Sequence, residues 1–189
     1  MNNPEKFKIM TEEIIIAGFG GQGVLSMGKI IAYSGVMQDL EVCWMPSYGP
    51  EMRGGTANVT VIVSDTQISS PVLHQFDTAI ILNQPSMDKF EKQVKPGGVL
   101  LYDPNGITKH PKRKDIKVYK IDATELAAAM GNVKIFNMIV LGAYLKLRPV
   151  VKLENVMKGL AKSIPARHHH LLALNEDAIN KGGEHVVEA

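Results

Sequence analysis

Cysteine is almost absent from this chain: Cys43 is the single one among 189 residues. One thiol excludes a disulfide within the chain, which fits a reducing compartment. It also excludes a self-contained iron–sulfur cluster, which draws on about four cysteines. Long apolar runs are missing as well. None reaches the ~18 residues of a membrane-crossing helix, and the polar start, Met1-Asn2-Asn3-Pro4-Glu5-Lys6, has no signal-peptide core. Nor is there an excess of charge of one sign. The net charge is +2, and without a concentrated basic face nothing argues for nucleic acid. The densest basic stretch, 109–117 with Lys112, Arg113 and Lys114, lies between strand-like runs and reads as a solvated loop. The expectation is a cytoplasmic protein with neither a membrane nor a nucleic acid as partner.

What is present is ordinary for a soluble globular chain, with 45% hydrophobic and 21% charged residues. The length suffices for one domain with a real core. Short runs at 13–17, 41–45, 78–82, 99–102 and 116–121 read as strands, the first β-branched and uninterrupted, bounded by glycine, proline or Asp-Pro-Asn-Gly turns. Residues 56–64 alternate, Ala57, Val59, Val61 and Val63 against Asn58, Thr60 and Ile62. They read as a strand pairing antiparallel to its predecessor. Helical periodicity marks 22–37 and 84–94, with a turn at 95–98. Beyond it, 125–130, 135–147, 153–163 and 167–181 read as helices, the last closed by Gly182-Gly183. The fold class is therefore α/β, a Rossmann-like doubly wound, mostly parallel sheet with helices on both faces and a helical C-terminal portion. We read residues 1–189 as a single domain, with the sheet core at 11–131 and the C-terminal helices at 132–183.

Gly18-Phe19-Gly20-Gly21-Gln22-Gly23 satisfies the G-x-G-x-x-G spacing between a strand and a helix. Glycines at Gly18, Gly20, Gly21 and Gly23 allow a tight turn whose amides point at an anion from a positive helix terminus. The acidic residue that a dinucleotide site wants after the second strand is missing. That strand ends Cys43-Trp44-Met45-Pro46, while Asp39 and Glu41 lie at its beginning. Two readings stay open: a turn for a phosphate-bearing group, or glycines that only let helix and strand pack closely.

The second informative stretch is Ser47-Tyr48-Gly49-Pro50-Glu51-Met52-Arg53-Gly54-Gly55. It brings a hydroxyl, a phenol, a carboxylate and a guanidinium together among glycines, as functional loops do. An internal Glu51–Arg53 pair on a solvated connection is the plainer alternative. Asn137 stands inside an apolar helix, where its amide needs a partner; the expectation is that it ties the helix to a loop such as 47–55. His168-His169-His170 does not read as a metal site, since adjacent helical side chains point about 100° apart. Cys43 reads as a packed thiol in an apolar strand.

The glycine turn, the Ser47–Gly55 loop after Trp44-Met45-Pro46, Asn83-Gln84-Pro85-Ser86 and Asn137-Met138 resemble the gamma subunit of 2-oxoacid:ferredoxin oxidoreductases. The resemblance runs over roughly residues 11–183. The loop looks most like the 2-oxoglutarate type, the pyruvate type carrying a different aromatic and an Arg-Arg-Gly pattern. The resemblance implies a subunit of an enzyme that decarboxylates a 2-oxoacid on thiamine diphosphate and Mg²⁺. Electrons pass through Fe–S clusters to ferredoxin, and CoA carries away the acyl group. It implies alpha, beta and ferredoxin-like delta subunits as partners. This chain has no Gly-Asp-Gly with a downstream Asn-Asn, the usual thiamine signature, so no catalytic residue is expected in it. The implied role is to cover the active-site approach with Ser47, Tyr48, Glu51, Arg53 and Asn137, with CoA phosphate as a candidate ligand of the glycine turn. Gamma subunits for pyruvate, branched-chain or aryl 2-oxoacids, and a stand-alone nucleotide-binding module, remain open, as does a homodimer of the isolated chain.

Overall fold

A computed structural model describes residues 11–48 and 55–189. Its frame is a seven-stranded sheet of β1 (Thr11–Phe19), β2 (Glu41–Tyr48), β3 (Thr56–Ser64), β4 (Phe76–Ile81), β5 (Val94–Tyr102), β6 (Lys117–Lys120) and β7 (Val187–Glu188), in the order β2-β3-β1-β4-β5-β6-β7. The four strands β1, β4, β5 and β6 run parallel. β3 runs antiparallel to both β1 and β2, and β7 antiparallel to β6. Helices α1 (Val24–Val36), α2 (Gln84–Phe90), α3 (Ala123–Ala129), α4 (Phe136–Leu147), α5 (Leu153–Ser163) and α6 (Leu172–His185) complete the fold.

The period of two in the central strands sorts their side chains into two cores. Ile14 and Ile16 of β1 point with Val59, Val61, Val63, Ile80 and Leu82 toward α1, α4 and α5. Ile15 and Ala17 point with Ala79, Ile81 and Leu100 toward Met87 and Phe90 of α2. β1 is thus buried on both faces, which explains its uninterrupted apolar run. From β1 the chain winds one way through α1 to β2, and later the other way from β4 through α2 to β5. The direction reverses between β1 and β4, so the crevice beyond their carboxyl ends is the topological switch point.

Several elements depart from the sequence expectations for physical reasons. The first helix starts at Val24, because Gly23 is left-handed with φ 75°. β2 runs through Pro46 to Tyr48; it is an outer strand, where a residue without an N–H is tolerated. The expected turn at 95–98 lies inside β5, as an irregularity where the register shifts between the Phe76–Val94 and Thr78–Val99 pairs. Asp77, at that step, accepts from Lys95 Nζ at 2.8 Å. The helix expected over 84–94 stops at Phe90, and β7 has no counterpart in the expectations.

Gly182-Gly183 does not end the last helix, which continues to His185. A Cβ on Gly182 would fall 1.8 Å from the Ile139 carbonyl oxygen, and one on Gly142 would fall 1.8 Å from that of Ile179. The two glycines let the backbones of α4 and α6 touch reciprocally.

At the amino end of the strands, buried Glu12 accepts from Thr78 Oγ1 at 2.6 Å and from Arg148 Nε at 3.0 Å. The ion pair fastens the end of α4 to β1. Tyr144 is buried beside it, and burial, with the Glu12 charge adding, pushes its phenol well above the ordinary range. Alanine normally stabilises a helical position held by glycine by about 0.5–1 kcal/mol. Gly182→Ala is expected to reverse that sign and cost about 1–3 kcal/mol, read as a lower urea midpoint with an unchanged slope.

Candidate functional site at the carboxyl edge of the sheet

The glycine turn lies where β1 leaves the sheet, and its shape is held by a side chain. Gln22 Oε1 accepts from the Phe19 amide at 2.6 Å, and Gln22 Nε2 donates to the Leu82 carbonyl at 3.2 Å. One side chain therefore closes the turn and ties it to the end of β4. Gly18 has no room for more: a Cβ there would lie 2.6 Å from Gln22 Oε1 and 2.9 Å from Leu82 Cβ. Gly21, at φ 102°, faces open space. Gly20 donates its amide to the Gly55 carbonyl at 2.9 Å, which joins the turn to the root of the 49–54 segment.

Among the described residues no side chain caps α1, and no acidic residue stands in its first turn. Its leading amides are open at the positive end of a 13-residue helix. Two clefts flank the turn. One, of about 370 Å³, is lined by Gly21, Gln22, Gly23, Thr124, Lys134 and Asn137, among others. The other, of about 280 Å³, lies between Phe19, Gly20, Val24, Ser26, Gly55 and Thr56. The first cleft brings the Lys134 ammonium and the Asn137 carboxamide to the glycine turn, donors suited to an oxyanion, while the Thr124 hydroxyl donates to Asp103.

Asn137 is half-buried and packs directly on the turn, its Nδ2 lying where a Cβ on Gly23 would come within 2.5 Å. Ser47 is exposed at the end of β2, opposite Asn58 of β3. Glu51, Arg53 and the side chain of Tyr48 lie outside the described residues. Of the residues singled out in the sequence, the structure brings Gly18, Gly20, Gly21, Gly23 and Asn137 together.

Asn83-Gln84-Pro85-Ser86 is built for structure. Asn83 Oδ1 caps α2 by accepting from the Ser86 amide at 2.9 Å. Gln84 Oε1 holds the following loop by accepting from the Thr108 and Lys109 amides at 2.9 and 2.8 Å. Asn83 Nδ2 is buried with no hydrogen-bond partner among the described residues. Sequence reasoning passed over Gln22, Thr124 and Lys134. Gln22 was discoverable as the one long polar side chain among the glycines. Thr124 reaches the cleft only because buried Asp103 accepts from its amide at 3.1 Å and its hydroxyl at 2.8 Å, a contact across 21 residues.

The histidines occupy an exposed 3₁₀ turn, Ala166–Leu171. His169 Nε2 lies 3.0 Å from the Ala161 carbonyl and His170 Nδ1 3.0 Å from that of Arg167. Among the described residues no three His, Cys, Asp or Glu side chains cluster as a metal would need. Cys43 is half-buried on the outer strand rather than in the deep core, and burial pushes its thiol up.

With this geometry, the comparison with known proteins is decisive on family. Residues 13–185 match the family described as pyruvate ferredoxin/flavodoxin oxidoreductase. The chain belongs to that family. Among its members, the chain is 34% identical to the 2-oxoglutarate synthase subunit KorC of Methanocaldococcus jannaschii, over 88% of this chain and 92% of that one. The keto/oxoacid ferredoxin oxidoreductase gamma subunit of Geobacter sulfurreducens PCA superposes with a TM-score of 0.80 at 30% identity, covering 93% of this chain and 95% of that one. The 2-oxoglutarate:ferredoxin oxidoreductase of Magnetococcus marinus, with 2-oxoglutarate, coenzyme A and succinyl-CoA bound, gives a TM-score of 0.83 at 26% identity. The match covers 93% of this chain and 31% of that one. The chain also spans only about a third or less, 27% and 35%, of the two ketoisovalerate oxidoreductase VorA subunits it matches. The family fold is therefore found both as a separate chain and within longer polypeptides.

Two measurements probe the glycine turn and the Cys43 thiol. Gly23→Ala is expected to cost about 2–3 kcal/mol, from a left-handed backbone and contact with Asn137. In a double-mutant cycle followed by denaturant unfolding, Asn137→Gly should recover the contact part and leave the backbone part. Cys43 should alkylate several-fold more slowly than free cysteine at about pH 8, followed by intact-mass spectrometry.

Proposed function

We propose that this chain is the gamma subunit of a multisubunit 2-oxoacid:ferredoxin oxidoreductase, with 2-oxoglutarate as the 2-oxoacid. The observation that carries this reading is its match to KorC along nearly the full length of both chains. The work it implies is divided. A thiamine diphosphate–Mg²⁺ site and Fe–S clusters belong to alpha, beta and delta companions, which deliver electrons to ferredoxin. The donor set of this chain agrees with that division, since Cys43 is its one thiol. The assembly is read as cytoplasmic; no helix among the described residues is long and apolar enough to cross a membrane.

Within the assembly, we read the switch-point crevice as the approach for coenzyme A. Three features support it. The α1 amides are uncapped among the described residues, and Lys134 and Asn137 line one cleft with Gly21, Gln22 and Gly23 of the turn. The Magnetococcus relative was solved with coenzyme A bound. Ser47, Tyr48, Glu51 and Arg53 would then cover the entrance, with Arg53 offering a planar fork to a phosphate or a partner carboxylate. A branched-chain 2-oxoacid is the second reading, favoured by 38% identity over 132 residues to VorA of Methanothermobacter marburgensis.

Purification of the native assembly should bring larger thiamine- and cluster-bearing chains with this one. Turnover of a panel of 2-oxoacids should then be fastest with 2-oxoglutarate, and a preference for 2-oxoisovalerate would select the second reading. Saturating coenzyme A should slow hydrogen exchange at residues 20–26 and 47–55 of the assembled enzyme. Unchanged exchange at both would refute the coenzyme A role.

A further inference from the structure

We propose that the outer rim formed by α1 and β2 is the docking surface for a companion chain corresponding to the remainder of the longer relatives. The inference rests on the gamma-subunit reading. Among the described residues β2 is hydrogen-bonded to β3 alone, which leaves one side of its backbone from Glu41 to Tyr48 for another strand. Exposed apolar side chains stand along this rim, Trp44 at 38%, Met45 at 37% and Val36 of α1 at 54%, between the exposed polar Glu41 and Ser47. Between helix and strand lies a groove of about 270 Å³ lined by Lys29, Ala32, Tyr33, Val36, Val42 and Trp44.

The groove has a charge as well as a shape. Lys29 Nζ lies 5.5 Å from the centre of the Tyr33 ring, and Lys162 Nζ, from α5, lies 5.7 Å from it. Neither ammonium pairs with a carboxylate among the described residues. Two uncompensated cations beside an aromatic wall fit an acidic, partly apolar segment. An extended strand would satisfy the open edge, place an apolar side chain between Tyr33 and Trp44, and set Asp or Glu against the lysines.

The relatives indicate who supplies it. The matches to this chain cover only 27% and 35% of the two VorA polypeptides. There, the rest of the polypeptide is tethered to this domain. A separate gamma chain must hold the corresponding partner without a tether, and needs a surface for it.

The test uses the full chain co-expressed with the companion chain of the same source that matches the remaining part of VorA. Trp44→Asp, and separately Lys29→Glu with Lys162→Glu, should each weaken binding by about tenfold or more. Far-ultraviolet circular dichroism should stay unchanged, and Val72→Asp, at an exposed site elsewhere, should bind like the wild type. If the wild type binds and both rim variants bind equally well, the rim assignment falls while the gamma reading stands. If the wild type does not bind the companion at all, both fall. If Trp44→Asp only converts a wild-type homodimer to monomer, the rim serves self-association and the proposal is overturned.

Discussion

The architecture turns on a lack of space at the end of β1. Gly18 sits so close to Gln22 and Leu82 that no side chain fits. The strand can leave the sheet only through a glycine there. That crowding lets Gln22 reach both the Phe19 amide and the Leu82 carbonyl, which fixes where α1 begins. Because α1 begins there uncapped among the described residues, the turn and the first residues of α1 line the two clefts at this end of the sheet. A packing requirement and a ligand-ready feature are therefore the same few atoms, which is why the glycine spacing alone could not choose between them.

The two ends of the parallel strands are finished differently. The amino end is closed by charge pairs: Glu12 with Arg148 and Thr78, and Lys95 bonded to Glu13 at 2.6 Å and to Asp77 at 2.8 Å. Burial works against the Lys95 ammonium, but its hydrogen bonds to Asp77 and Glu13 outweigh that and raise it. The carboxyl end has uncapped amides and an Asn83 Nδ2 without a partner among the described residues, beside two clefts. The amino end is tied down by ion pairs, with only the buried Tyr144 hydroxyl lacking a partner there among the described residues, and rigidity at the base positions the groups at the rim.

Most of the sheet was legible because burial on both faces leaves an unmistakable record: the runs at 13–17, 78–82 and 99–102 are short, almost wholly apolar and bounded by turn residues. The antiparallel 56–64 strand announced itself by alternation. What escaped notice was tertiary. Gly182-Gly183 has the composition of a helix stop, and only the presence of α4 against it shows that the glycines serve contact. Pro46 looked like a strand end because sequence does not reveal that β2 lies at the border of the sheet. At the site, the glycines and Asn137 could be named from sequence, but their meeting could not. Lys134 and Thr124 join them through folding of the stretch after β6, which carries no motif.

The Glu12–Arg148 pair joins residues 136 positions apart. Its consequence falls on synthesis. A nascent chain that has not yet emerged past α4 holds a carboxylate at the base of its innermost strand with Thr78 as its local partner. The penalty of such an uncompensated buried charge is several kcal/mol, enough to keep the half-made sheet loose. The first strand therefore gains its full set of partners only once Arg148, just past α4, has been made.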